Sequence, residues 1–574
     1  MSVSREARVF GPGRIAAVML GLVMVVTGAV GGLTPAQAVG TVHAPITGYG
    51  STWSENALQA WVRNVWSNYQ WRIDYNGNGS TQGRNAFANG TADFGVSEIP
   101  YAIVNSNEAD TRPNRKFAYM PIVAGGTAFM YNLTIAGKKV TNLRLSGETI
   151  AKIFTDEITV WNDPAIAGDN PSLDLPGIPI VPVVRSDGSG TSAQFTMWMR
   201  QQHPAIWDAY CGKVSRPLVN GHCGVTSNYP VSPGSKMVSR ARADGVAGYV
   251  AQPHAAGAIT FVEYSYALAS GFPVVKMLNE SGYYVEPRAG NVAVGLLSAH
   301  INEDESSPEY LTQDLRNVYT SQDPRAYPLS SYSYIILPTA LEFGFTANKG
   351  RTLADFGAYF LCEGQQSAEV LGYSPLPINL VQRGYQQVLK VPGGDPAVKD
   401  PVRDCNNPTF SPDGTNRVAN ETPFPPDCDR KGGPAQCAEG TGGAQDTPTG
   451  GGAGGGHQGG EQAGGGGRQG GGAGTGGAGG SPGAGDNAAG GDGVDGLGLA
   501  DVDAIGGGAV SGPLVLSGSP QQLPFSQPGV VPALAILGAG SGLLLATVAP
   551  PLLGKRARKT LLPTPTRGSP RPTR

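Results

Sequence analysis

Cysteine is scarce in this chain and comes late. There are six in 574 residues, none precedes Cys211, and no two are spaced as C-x-x-C. The spacing leaves little for a zinc-finger or dithiol redox site, and His222 beside Cys223 is the sole close His/Cys pair. Histidine is equally sparse, at 43, 203, 222, 254, 300 and 457, with no H-x-x-x-H pair. The pattern gives no helical metal pair and no base beside a nucleophile, so no metal, no cofactor and no enzyme are expected. Only 15% of residues are charged, 41 basic against 44 acidic, and no basic stripe interleaved with aromatics occurs. A nucleic-acid partner is therefore not expected.

Glycine and proline, by contrast, are abundant, at 85 and 46, and most of the glycine excess follows Glu439. The folded part is expected between about Ala44 and Cys437, long enough for sizeable cores. Ahead of it, Arg5, Arg8 and Arg14, the apolar Ile15 to Val30, and Ala36-Gln37-Ala38 read as a secretory signal over 1–38, with an uncleaved anchor as the other reading. Export fits an even cysteine number. Proximity pairs Cys211 with Cys223 and Cys428 with Cys437, leaving Cys362 for Cys405, one of several possible connectivities.

After a Pro/Cys-containing extension over 396–440, the segment 441–528 reads as a disordered Gly-rich linker, spanning on the order of 50 Å r.m.s. as a coil. Residues 530–551 are apolar and long enough to cross a bilayer, and a buried soluble hairpin is the other reading. Lys555, Arg556, Arg558 and Lys559 open a basic stretch over 552–574 without an acid, which favours a cytoplasmic C-terminus.

Chemistry concentrates in three Gly/Ser/Thr turns that each lead into a helical pattern. The first, Gly50-Ser51-Thr52-Trp53, precedes Leu58, Trp61, Val62, Val65 and Tyr69 at helical spacing. The second, Asn76 to Gly83, follows the strand-like Trp71 to Tyr75 and precedes a short helix over Arg84 to Asn89. The third, Arg185-Ser186-Asp187-Gly188-Ser189-Gly190-Thr191-Ser192, lies between a strand over Ile178 to Val184 and a helix over Ala193 to Gln201. Any one of these is equally a plain turn with an N-cap. Together, three helix N-termini offer free N–H and O–H donors to an oxyanion, and Arg185 adds a planar cationic fork. None ends in Gly-Lys-Ser/Thr, so none is a nucleotide-binding P-loop. Glu98, after the apolar Phe94 to Val96, is either a solvated loop acid or an acceptor for a proton carried by the ligand. In the second role it selects phosphate over sulfate.

These motifs, in order, are similar to those of the phosphate-binding components of ABC phosphate importers, within the type II periplasmic-binding-protein superfamily. They are Gly50 to Trp53, Gly79 to Gly83, Asp93 to Glu98, Ile153 to Trp161, Arg185 to Ser192, Gly257 to Tyr264, and Tyr327-Pro328-Leu329 with Ser331-Tyr332. The resemblance covers about Ala44 to Leu389. It implies an α/β, two-lobed fold with a ligand cleft between the lobes, one lobe from 44–127 and 266–395 and the other from 128–265. It also implies a phosphate site made by Thr52, Trp53, Ser80, Glu98, Arg185, Ser189, Gly190 and Thr191, with Asp187 orienting Arg185 and Asp93 structural. Inorganic phosphate or a similar oxyanion and a membrane ABC permease are the implied partners. Two residues depart from the family pattern, Glu98 where Asp is usual and Trp53 where Phe is usual, and Tyr49 adds bulk beside them. The longer Glu98 side chain must sit deeper or swing aside.

Binding proteins of this type in cells without an outer membrane are commonly tethered by a lipidated cysteine. Here the 530–551 span takes that place on the extracytoplasmic face of the membrane. Two other readings remain at this level. One is a membrane-tethered oxyanion sensor or scavenger uncoupled from transport. The other is a phosphatase with Ser189 as nucleophile and Arg185 on the phosphate.

Overall fold

The computed structural model describes residues 43–108, 112–433 and 435–444. The signal (1–38), most of the Gly-rich linker (441–528), the apolar span (530–551) and the basic tail (552–574) lie outside the described residues. Among the described residues no helix is long and apolar enough to cross a membrane.

The class is α/β, as expected. Eight strands form the main sheet: β1 (Ile46–Gly50), β2 (Ile73–Asn76), β3 (Phe94–Ser97), β4 (Phe117–Tyr131), β5 (Val181–Arg185), β6 (Val238–Arg240), β7 (Ala258–Glu263) and β8 (Ser330–Pro338). Their order is β6-β5-β7-β4-β8-β3-β1-β2. The two ends of the sheet are parallel, β1 pairing β2 and β3, and β5 pairing β6 and β7. The middle is antiparallel through β4, which pairs β8 over Phe117 to Gly126 and β7 over Thr127 to Tyr131. One 15-residue strand thus carries the sheet from one half of the molecule into the other. β8 is buried along its whole length, as a central strand covered on both faces must be.

Helices cover the sheet and bring their N-termini to its strand ends. They are α1 (Glu55–Tyr69), α2 (Ser80–Ala88), α3 (Gly190–Gln202), α4 (Ala243–Val250), α5 (Tyr264–Ser270) and α6 (Ala347–Leu361). On α1 the residues Leu58, Trp61 and Val65 are buried, the stripe read from the sequence, while Tyr69 remains exposed. Beside β7, Phe195 of α3 packs with Phe154, Phe261, Trp198 and Tyr229 in an aromatic core.

The disulfides are Cys211–Cys223, Cys362–Cys405 and Cys428–Cys437. Cys362–Cys405 ties the extension to the end of α6 and Cys428–Cys437 closes a loop within it, and the extension is a packed part of the fold. Lys276 and Asp429 form a largely buried ion pair at 2.8 Å, and Asn142 donates to the Cys437 carbonyl at 2.7 Å. Packing continues to Ala444, four residues into the segment expected to be linker. The Thr441 N–H bonds Thr141 O, and its hydroxyl accepts the Val274 N–H at 2.9 Å.

Candidate oxyanion-binding site

Each Gly/Ser/Thr turn stands where a strand of the parallel ends hands over to a helix. β1 runs into the Ser51–Ser54 turn and α1, β2 into Gly77–Gly79 and α2, and β5 into Ser186–Ser189 and α3. Within each parallel group the C-terminal ends lie on one side, and because the two groups run antiparallel to each other across β4, those ends and the helix N-termini that follow face one another. The turn before α2 meets the turn before α3 directly. The Thr81 N–H bonds Gly188 O at 3.1 Å, and the Thr81 hydroxyl donates to Ser227 Oγ at 3.0 Å.

Ser80, Glu98 and Gly190 come together at this meeting. Ser80 Oγ donates to Glu98 Oε2 at 2.8 Å and accepts the Gly190 N–H at 3.1 Å. Glu98 is 1% exposed, so the solvated-loop reading fails: the residue after β3 is sealed beneath α3. Its backbone carbonyl accepts Gln194 Nε2 at 2.8 Å, and Ser333 Oγ donates to Oε1 at 3.1 Å. Burial pushes the Glu98 carboxyl above its ordinary range, and the Ser51, Ser80 and Ser333 hydroxyls offset that only in part.

Arg185, at the end of β5, is buried and gives its fork to Asp187, Nε to Oδ1 at 2.7 Å and Nη2 to Oδ2. Burial raises the Asp187 carboxyl, but the Arg185 bonds outweigh it and hold the group below its usual range. Asp187 also accepts the Arg242 N–H at 2.9 Å. No hydrogen bond among the described residues joins Arg185 to Ser80 or Glu98. Ser189 caps α3, its Oγ accepting the Ser192 N–H at 3.2 Å, and Thr191 is buried in the first turn.

Thr52 and Trp53 make no hydrogen bond to Ser80, Glu98 or Gly190 among the described residues. The Thr52 hydroxyl accepts the Ala243 N–H at 3.3 Å at the start of α4, and its carbonyl accepts Tyr266 OH at 2.5 Å. The Trp53 N–H is spent on Ser51 Oγ at 2.9 Å, and its carbonyl accepts Tyr373 OH at 2.7 Å. The indole packs edge-on against Tyr373, and its buried Nε1 has no hydrogen-bond partner among the described residues. Trp53 is thus a core residue of the turn in this conformation.

Sequence reasoning missed Ser333, Ser54 and Arg242. Ser330, Ser331 and Ser333 interrupt a buried apolar strand, and small hydroxyls there were a usable signal. Arg242 left none. From the start of α4 it reaches Glu55 of α1 at 2.9 Å and the Gly77 carbonyl before α2, clasping the two halves beside the site.

The family model for the PBP superfamily domain matches residues 35–363, more than half of the chain. The chain belongs to the PBP superfamily. Its two-lobed α/β architecture is that family's. This superfamily member is 30% identical over 351 residues to the phosphate-binding protein PstS of Xylella fastidiosa (strain Temecula1), covering 61% of this chain and 86% of that protein. It is also 30% identical over 339 residues to phosphate-binding protein PstS 2 of Mycobacterium tuberculosis, covering 57% of this chain and 82% of that protein. Among solved structures, a human phosphate-binding apolipoprotein aligns at a TM-score of 0.46 and 18% identity, over 61% of this chain and all of that one.

Proposed function

We propose that this protein binds inorganic phosphate, or an oxyanion of like charge and protonation, outside the cytoplasm and delivers it to an ABC-type importer in the membrane. The observation that carries the reading is the meeting of Ser80, Glu98 and the Gly190 N–H at the starts of two helices from different halves of the chain. Hydroxyl and N–H donors suit the bare oxygens of a tetrahedral anion, and a carboxyl suits the protonated one. Thr52, Trp53, Ser80, Glu98, Arg185, Ser189, Gly190 and Thr191 form the proposed ligand set, with Asp187 fixing Arg185. The lobes are 44–127 with 266–395, and 128–265, and they close over the ligand. The relatives named above as phosphate-binding proteins support the ligand class. The signal over 1–38 exports the chain, the span over 530–551 anchors it with a cytoplasmic C-terminus, and the linker lets the lobes reach the permease. The role proposed is binding and not hydrolysis, in keeping with the relatives named as phosphate-binding proteins.

Equilibrium dialysis of the purified full chain against radiolabelled phosphate tests the reading. Unlabelled phosphate and arsenate should displace the label and sulfate and molybdate should not. Displacement by sulfate as readily as by phosphate would overturn the assignment.

A further inference from the structure

Glu98 is not beside the cradle made by Ser80 and Gly190; it is in it. A Cβ added to Gly190 would stand 2.0 Å from Glu98 Oε2 and 2.7 Å from Ser80 Oγ, so the carboxyl rests on the first Cα of α3 and only glycine fits there. Ser80 spends its proton on Oε2 and its lone pair on the Gly190 N–H. Ser333 spends its proton on Oε1, and Ser54 Oγ lies 2.9 Å behind it. These are donors of the kind an incoming oxyanion needs, and each already serves a carboxyl oxygen. The side chain that reaches them is one methylene longer than an aspartate.

We propose that the Glu98 carboxyl is the resident occupant of this cradle. An oxyanion enters by exchange with it, so that binding is coupled to proton uptake at the exchanged carboxyl. The proposal rests on the phosphate reading and adds its regulation. Once displaced, an ionised Glu98 would lie against a bound anion whose one proposed cation, Arg185, already shares its charge with Asp187, and among the described residues no Lys, Arg or His pairs with the Glu98 carboxyl. Two like charges in a dry site do not both persist, and the carboxyl takes a proton or accepts the ligand's own.

The neighbouring titratable and charged groups do not supply that proton. Tyr75 of β2 and Tyr334 of β8 are held well above the phenol range, burial first and the Glu98 charge among the further causes. Arg84 of α2 donates to Ser97 Oγ, Arg200 of α3 to the Cys223 carbonyl, and Arg185 to Asp187. Glu309, Asp314 and Arg316 line the same cavity as Glu98, Glu309 paired with Arg112 and Asp314 with Arg316, so in this proposal the proton is drawn from solvent.

Calorimetric titration of the full chain with phosphate between about pH 6 and 8.5, in buffers of high and low ionisation heat, counts the protons taken up. The wild type should bind more tightly as pH falls, with net uptake on the alkaline side. Glu98→Asp, whose shorter arm withdraws from Gly190, should bind phosphate about tenfold more tightly near pH 8 and take up fewer protons. Glu98→Ala should take up none beyond the ligand's own and admit sulfate. Weaker phosphate binding by both variants at every pH, with the wild-type proton count unchanged, would overturn the exchange while leaving the phosphate reading standing. Binding of no oxyanion by any of the three proteins would overturn both.

Discussion

Glu263 shows how a single buried acid can be read. It lies opposite Thr127, at the register where β4 leaves β8 and joins β7, and it caps α5 by accepting the Ser265 N–H at 2.8 Å through Oε2. Burial raises its carboxyl well above the ordinary range. A raised acid binds more protons folded than unfolded, so its stabilisation is complete below the unfolded value and is lost as pH rises through the folded one. Glu263→Gln keeps the cap acceptor and never ionises. Thermal unfolding should therefore show the variant gaining on the wild type, by about 2 °C, at alkaline pH, with the gap closing near pH 4. An offset of the same size at both ends of the range would contradict the assignment. At this scale the sequence was informative about residue type and silent about direction. Glu98 and Arg185 were legible as chemistry, and Asp187 as the partner of Arg185 through the resemblance, whereas the spending of the Trp53 N–H on Ser51 depends on backbone angles that no spacing encodes.

Among the elements, those with a repeating apolar pattern were the readable ones. α1 was placed from Leu58, Trp61 and Val65, which the structure buries on one face of Glu55–Tyr69. α2 was the instructive failure. A helix from Arg84 to Asn89 was expected, but it begins at Ser80, because Ser80-Thr81-Gln82-Gly83 has the composition of a turn. Gly83 weakens the helix locally and is repaid by contact. A Cβ there would stand 2.3 Å from the Gly50 Cα, so α2 lies on β1 only with glycine at that position. This earlier start places Ser80 in the first turn, where its hydroxyl reaches both Glu98 and Gly190. The third turn behaves alike, the helix beginning at Gly190 where Ala193 was expected. In both cases tertiary packing turns residues of loop composition into a helix N-terminus, and the anion-binding geometry depends on it.

For the whole molecule, the two-lobed fold was accessible through the order of motifs, and the role of the extension was not. Residues 396–440 read only as a Pro/Cys-containing extension, yet they bond Asn142 and Arg144 in one half of the chain and Lys276 and Gln366 in the other. Each contact is a single polar pair to a residue far away in sequence, a signal that local pattern does not carry. Beyond them lies the proposed anchor. Membranes from cells producing the protein should retain the full chain through carbonate extraction and release a form truncated after Gly529. Retention of the truncated form would remove the anchor from the account. The central claim concerns the cradle, and arsenic reports on it directly. A crystal grown with arsenate should show one anomalous arsenic peak within about 4 Å of Ser80 Oγ and the Gly190 nitrogen, with the Glu98 carboxyl moved off Gly190. At saturating arsenate, a peak elsewhere, or none with Glu98 still in place, would contradict it.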